Sequence, residues 1–408
     1  MNHAAIRSQF PLLNRQQEEQ DYPLCYLDSA ATAQKPASVL QAMDDFYRQH
    51  NANVHRGAYQ LSAAATAAVE ASRDKVQRFI HAAHRQEVIF SHGTTESLNM
   101  LAYGLEPQLQ VGDLILVDSA AHHANIVPWQ QLAQRTRAHV QPLPLNDELC
   151  LDDAAFNALL AKRPKIVALG HVSNVLGTVN DIAALTQRIR AAGAISVVDG
   201  AQAIAHLPVD VQALGCDFYA FSGHKMYGPT GVGILWGKLA QLDKLAPMLT
   251  GGEMIKHVSF SGTTFGALPH RLEAGTPPIA EIIGLAAAID FLIQFAHAQS
   301  HQYEQQLLQQ LRDGLAAMPE VELYAAHANN VGALAFNIRG EHHHDVGALL
   351  DQQGIAIRCG HHCAMPLMSL MALNGCCRVS LGIYNNEQDV ARFLAALQQT
   401  IALLTEDT

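Results

Sequence analysis

The chain has 408 residues, 49% of them apolar and 15% charged, with a formal charge of -11 and a pI near 6.0. That length exceeds what one hydrophobic core usually serves and points to two or three domains, while the apolar content excludes an intrinsically disordered chain. The acidic balance, with lysines and arginines scattered along the sequence, excludes nucleic acid as the main partner and reads as a solubility feature.

The first ten residues, MNHAAIRSQF, lack the long apolar core of a signal peptide. Short apolar runs bounded by turn residues then follow at Glu87–Phe90, Leu114–Val117, Ile166–Leu169, Ile195–Val198, Phe218–Phe221 and Val232–Trp236. Helix-like stretches lie between several of them, such as Asp181–Ala192, so the pattern predicts an α/β fold with parallel strands covered by helices. The most apolar stretch, Ile282–Phe295, contains Asp290 and is too short to span a bilayer, so a buried helix is expected and no membrane contact. From there the character changes. Pro277–Ala298 and His301–Met318 read as long helices, Gly332–Ile338, Ile355–Arg358 and Cys377–Leu381 as short strands, and Asn386–Leu404 as a final helix. The expected division is a large domain over 21–284 and a small α+β domain made of 1–20 and 285–408. No internal repeat stands out, and His342–His344 reads as a solvated loop. Seven cysteines without a secretion signal suit a reducing cytoplasm rather than a disulfide framework.

In open parallel sheets ligands bind beyond the carboxyl ends of the strands, and the informative residues lie there. Asp199 closes the run Ser196-Val197-Val198-Asp199, and Lys225 follows Phe221-Ser222-Gly223-His224 in a tight segment. These match the needs of pyridoxal phosphate chemistry. Lys225 offers the Schiff-base amine, and Asp199 a carboxylate to keep the pyridine nitrogen protonated. His122 offers a flat group for the ring face, and Gly93-Thr94-Thr95-Glu96, opening a helical run, offers N–H groups and hydroxyls for the phosphate. Each has a plainer reading when taken alone: a strand-end cap for Asp199, a surface amine for Lys225, a loop histidine for His122, and simple helix capping for Gly-Thr-Thr-Glu. Their combination, in this order, is what carries the signal.

With those segments in place, the chain resembles the fold-type I pyridoxal phosphate enzymes of the class V aminotransferase group, and more narrowly the cysteine desulfurases of the SufS/CsdA type. The resemblance runs from about Tyr26 to near Leu404. It is most specific at Asn53-Val54-His55-Arg56-Gly57, His122 through Trp129, Ser173 through Gly177, Ser222-Gly223-His224-Lys225, Glu273 through Pro277, and Arg358 through Pro366. It implies Lys225 as Schiff-base lysine, Asp199 as pyridinium partner, Gln202 on the ring hydroxyl and His122 stacked on the ring. Thr94, Thr95, Ser222 and His224 become phosphate ligands. Thr276 would reach the phosphate of a neighbouring subunit, which implies a homodimer. Asn174 and Arg378, with Arg358 as a second contributor, would clamp the substrate carboxylate, a task that suits the guanidinium fork.

The resemblance makes Cys363 the sulfur carrier, where otherwise a structural thiol would be the plain reading. Cysteine's amine displaces Lys225, the freed lysine removes the α proton, and the Cys363 thiolate attacks the substrate sulfur, giving a persulfide and alanine. His361, His362 and Arg358 would favour the thiolate if their positive ends approach it, since a free cysteine has a pKa of about 8.5. The string Cys359-Gly360-His361-His362-Cys363 lacks the pairwise spacings of zinc sites, so no metal is expected. Cys376 and Cys377 read as packed thiols, and Cys359 as a spectator rather than a disulfide partner of Cys363. Departures from the family pattern are His92, Ala121, Glu253, His270 and Cys359; those at 92, 253 and 270 bear on the subunit interface. Selenocysteine lyase activity on the same site is the alternative reading. Kynurenine cleavage would leave the Cys363 loop unexplained, and a silent relay scaffold would leave Lys225 and Asp199 without purpose. The acceptor implied is a small SufE-like protein, leading to iron–sulfur cluster assembly, with the His-His-Cys-Ala-Met-Pro-Leu wording leaning toward the SufS branch.

Overall fold

The computed structural model describes residues 3–14, 23–295, 298–326 and 329–406. Seven runs pair into one sheet: β1 (Val88–Ser91), β2 (Leu114–Asp118), β3 (His139–Leu143), β4 (Ile166–Gly170), β5 (Ile195–Asp199), β6 (Phe218–Ser222) and β7 (Gly233–Gly237). Their spatial order is β1-β7-β6-β5-β4-β2-β3, with β2 through β6 parallel and β7 antiparallel to both its neighbours. The runs are continuously apolar because both faces are covered. Along β4 and β5, Val167, Leu169 and Val198 join one buried cluster, while Ile166, Ala168 and Val197 join another. Strand β3 escapes the sequence pattern because it is an edge strand with only Leu143 fully buried, and Pro142 is tolerated there.

A second sheet holds β8 (Val321–Tyr324), β9 (Ala333–Ile338), β10 (Arg358–Gly360) and β11 (Cys376–Ser380), all antiparallel, in the order β8-β9-β11-β10. The helix Glu387–Glu406 and the helix Ala298–Ala316 supply Phe393, Leu397, Leu307 and Leu311 to a core shared with Phe336 and Val379. The run expected as one strand over 355–358 is divided. Ile355–Ala356 pairs in parallel with Cys25–Tyr26, and Arg358 begins β10.

The helix Ile279–Phe295 spans the position of the expected division between 284 and 285 and packs Leu285, Ile289 and Leu292 into the large-sheet core, where Ile6 and Phe10 of the N-terminal segment also lie. One sequence expectation is corrected: His342–His344 do not form a solvated loop, because His342 caps the helix His343–Asp351 by accepting from the His344 N–H, and His343 is buried. No single helix among the described residues is long and apolar enough to cross a membrane.

Candidate active site

The carboxyl ends of β4, β5 and β6 meet the loop between β10 and β11 around a cavity of about 180 Å³. Its walls hold Lys225, Asp199, Gln202, His122, Thr94, Thr95, Ser222, His224, Asn174, Arg358, Arg378 and Cys363, that is, twelve of the thirteen residues singled out from sequence. The exception is Thr276, which lines a separate cavity with His55, His92, Glu253 and His270.

One end of the cavity is built by close backbone packing. Gly93, at φ 141°, precedes the helix Thr94–Gly104 in a conformation L side chains avoid, and a Cβ on Gly233 would stand 2.4 Å from the Gly93 Cα. This brings Ser222 against the helix start: its Oγ accepts from the Thr94 N–H at 2.8 Å and lies 2.7 Å from the Thr94 hydroxyl. A helix N-terminus with three hydroxyls is an anion cradle. His224 closes it, its ring Nδ1 3.3 Å from the Thr32 hydroxyl. Burial, then Lys225 and Lys35, hold His224 near a pKa of about 4, so at neutral pH it offers an uncharged ring.

Asp199 ends β5 with its Oδ1 accepting from the Ala201 N–H at 3.0 Å, and among the described residues Oδ2 meets no donor. Burial pushes the Asp199 carboxyl up, opposed by Lys225 and by that N–H. Burial likewise lowers the Lys225 amine, with Asp199 opposing. Neither Oδ2 nor the Lys225 Nζ finds a protein hydrogen-bond partner among the described residues, although both face one cavity. His122 accepts from the Ala124 N–H at Nδ1, 3.0 Å, and burial followed by the Lys225 charge lowers its pKa to about 4. Its neutral ring therefore carries its proton on Nε2. Gln202 donates to the Ala30 carbonyl at 2.8 Å, which leaves its amide oxygen as an acceptor.

On the opposite wall, Arg358 and Arg378 stand directly across from each other on β10 and β11. Like charges in that position repel unless an anion intervenes. Asp28 intervenes, 2.8 Å from Arg378 Nη2 and 3.7 Å from Arg358 Nη1. Two guanidiniums against one carboxylate leave a net positive site. Arg378 also donates from Nη1 to the Asn174 carbonyl at 2.7 Å, and its buried Nε has no partner among the described residues. Sequence reasoning assigned no role to Asp28. The one available signal was an acid within Tyr26-Leu27-Asp28-Ser29, where the resemblance begins.

The Cys363 loop is held at several points. The Asn174 side chain donates to the His362 carbonyl at 2.7 Å, the His123 N–H to the Cys363 carbonyl at 2.7 Å, and the Met365 N–H to His123 Nε2 at 2.9 Å. His362 and Cys363 both have positive φ, 51° and 56°, which turns the exposed thiol to the cavity mouth. His362 does not supply the positive charge expected beside that thiol. Burial, then Arg378, lowers its pKa to about 3; its Nε2 lies 2.9 Å from the Cys376 carbonyl, and its buried Nδ1 has no partner among the described residues. The departures at 92, 253 and 270 gather around Thr276, where His92 pairs with Glu96 at 2.8 Å and Glu253 with Arg56 at 2.8 Å.

Residues 25–393 match the family model of the class-V aminotransferases. The chain belongs to the class-V aminotransferase family. A curated cysteine desulfurase of Yersinia pestis (strain Pestoides F) is 49% identical over 402 residues, covering 98% of each chain. The crystal structure of the cysteine desulfurase CsdA from Escherichia coli, in an S-sulfonic acid form, superposes with a TM-score of 0.91 at 41% identity over 99% of both chains. The apo cysteine desulfurase of Thermococcus onnurineus NA1 gives 0.93 at 37% identity over 98% of both. Class-V aminotransferases work with pyridoxal phosphate, and the residues present fit that group: an unpaired amine, an unpaired carboxylate oxygen and a hydroxyl-lined helix N-terminus share one cavity.

Proposed function

We infer that the chain is a pyridoxal phosphate-dependent cysteine desulfurase that takes sulfur from L-cysteine onto Cys363 and releases L-alanine. The observation that carries this reading is the single cavity that joins Lys225 and Asp199 on one wall to the arginine pair and the Cys363 thiol on the other. When bound, pyridoxal phosphate supplies an electron sink for the charge left as the substrate's α proton departs. Lys225 would hold the group through its amine and, as a free amine, would be the base that takes the substrate's α proton. Its lowered pKa keeps a larger share of the amine in the basic form. Asp199 Oδ2 would keep the ring-nitrogen proton in place, Gln202 would accept from the ring hydroxyl, and the neutral His122 ring would cover the ring. Thr94, Thr95, Ser222 and His224 would hold the phosphate. Arg378 and Arg358 receive the substrate carboxylate and Asn174 keeps Arg378 and the loop in register, so the substrate sulfur faces Cys363.

The same reading makes the enzyme a homodimer in which Thr276 serves the partner's phosphate. Its support is that Thr276 lies outside the cavity described above, in one that the exposed Leu249 also lines, and that the strand Ile255–Ser259 and the turn after it leave Val258 and Phe260 exposed. The cofactor-holding body would run to the end of the helix Ile279–Phe295, and the residues after it would carry the Cys363 loop. The exposed thiol at Cys363 suits delivery to a small SufE-like acceptor protein, with iron–sulfur cluster assembly beyond it. Seven unpaired cysteines suit the cytoplasm.

The test feeds L-cysteine to the purified protein and measures alanine and protein-bound persulfide together. Equal early yields are expected, with Lys225→Ala colourless and inactive and Cys363→Ala forming no persulfide. Alanine formed at the full rate by the Cys363 variant would overturn the assignment of the sulfur carrier.

A further inference from the structure

Cys359 and Cys377 are register partners on the antiparallel strands β10 and β11, and their Sγ atoms lie 3.6 Å apart. Residues directly opposite on such strands have Cα atoms about 4.5–5.5 Å apart, within the span of about 4.4–6.8 Å that a disulfide bridges. Both thiols are free; Cys359 is half-buried and Cys377 is fully buried in the core of the small sheet. The hydrogen bond between them holds the Cys359 thiol below the usual range and pushes Cys377 up, so the reachable sulfur is also the more readily ionised one. Side chains alternate along a strand. Arg358 and Arg378, one residue from each cysteine, face the cavity, whereas the cysteines face the other way. That alternation separates Cys359 from Cys363, whose carbonyl is tied to His123 at the cavity mouth.

We propose that Cys359 and Cys377 are a modification site: a hydroperoxide closes them into a reversible disulfide, distinct from the sulfur-carrying thiol. The Cys359 thiolate attacks the terminal oxygen of the peroxide, the O–O bond breaks, and a sulfenic acid forms with release of one water or alcohol. The Cys377 thiol then attacks the Cys359 sulfur, the S–O bond breaks, and a second water leaves with the Cys377 proton. Two thiols are oxidised by two electrons and one peroxide is reduced by two. The new bond ties β10 to β11 between the two arginines and the root of the Cys363 loop, so closing it restrains the segment that presents the substrate clamp. A thiol reductant restores both cysteines.

The test treats the pyridoxal phosphate-loaded Cys363→Ser protein with a small excess of hydrogen peroxide, blocks remaining thiols by alkylation, and maps the peptides by mass. The expected result is a Cys359–Cys377 linked peptide lacking two hydrogens, accounting for most of the Cys359 signal and vanishing after dithiothreitol. In Cys359→Ser the linked peptide is absent and Cys377 is recovered reduced. In the wild-type protein the same link forms in preference to one between Cys359 and Cys363. The proposal is overturned if Cys359 is recovered linked to Cys363, as a sulfinic acid beside a reduced Cys377, or unmodified.

Discussion

Replacing Arg378 with lysine isolates what the guanidinium fork contributes, because the charge stays and the geometry goes. Arg378 spends Nη1 on the Asn174 carbonyl at 2.7 Å and Nη2 on Asp28 at 2.8 Å, leaving a buried Nε with no partner among the described residues. An incoming carboxylate would satisfy that N–H and sit between two positive groups. A lysine ammonium has three donors converging on one atom and cannot serve the Asn174 carbonyl, Asp28 and the substrate along the same three directions. A hydrogen bond between charged groups is worth about 1.5–3 kcal/mol, so kcat/KM for L-cysteine should fall about 10- to 150-fold. Because the carboxylate is bound throughout the reaction, the loss should appear mainly in KM. The assay is steady-state alanine production, with the absorbance of the bound cofactor confirming that the lysine variant is loaded. A KM within about twofold of wild type, with the deficit confined to kcat, would refute the assignment of Arg378 to the substrate carboxylate.

Two further outcomes follow from the titrating groups. Burial raises the Glu273 carboxyl, but Arg73 (two contacts of 2.7 and 2.9 Å), His270 and the Phe90 N–H outweigh it and hold its pKa at about 2 against an ordinary 4.5. A folded pKa below the unfolded one adds stability that is fully present above the unfolded value and is lost as pH falls toward the folded one. This contribution is on the order of 3 kcal/mol. In urea titrations the gap between wild type and Glu273→Gln should therefore narrow as pH falls below 4.5, and a constant gap through that range would count against the pairing. His122, held neutral by burial down to about pH 4, should contribute no limb near 6.5 to the pH profile of kcat/KM. The wild type and His122→Phe should give profiles of the same shape there, and an acid limb present in the wild type alone would show that the ring titrates.

Much of the architecture was legible because a parallel sheet covered on both faces demands uninterrupted apolar strands. All six runs named from sequence align with strands to within a residue. What the pattern missed lay at margins. β3 is a polar edge strand, β8 a short one with Glu322 exposed, and His342–His344 looks solvated until His343 turns inward at a helix start. A change in composition marks where helices lengthen, whereas packing decides which core a helix joins, and the helix Ile279–Phe295 that spans the expected division packs on the large sheet.

The chain order of motifs by itself determined the chemistry: an acid closing one apolar strand, a lysine following the next, and a hydroxyl-bearing turn that opens a helix. Those are local properties, set by where strands end. Which residues complete the site was decided only by tertiary structure, because Asp28 meets Arg378 across 350 residues and Cys359 meets Cys377 through strand register. Long-range pairing of this kind depends on how two sheets dock, and no local pattern encodes it. The protonation states belong to the fold as well: His362 looks like a cation beside Cys363 in the sequence, and burial against Arg378 makes it neutral.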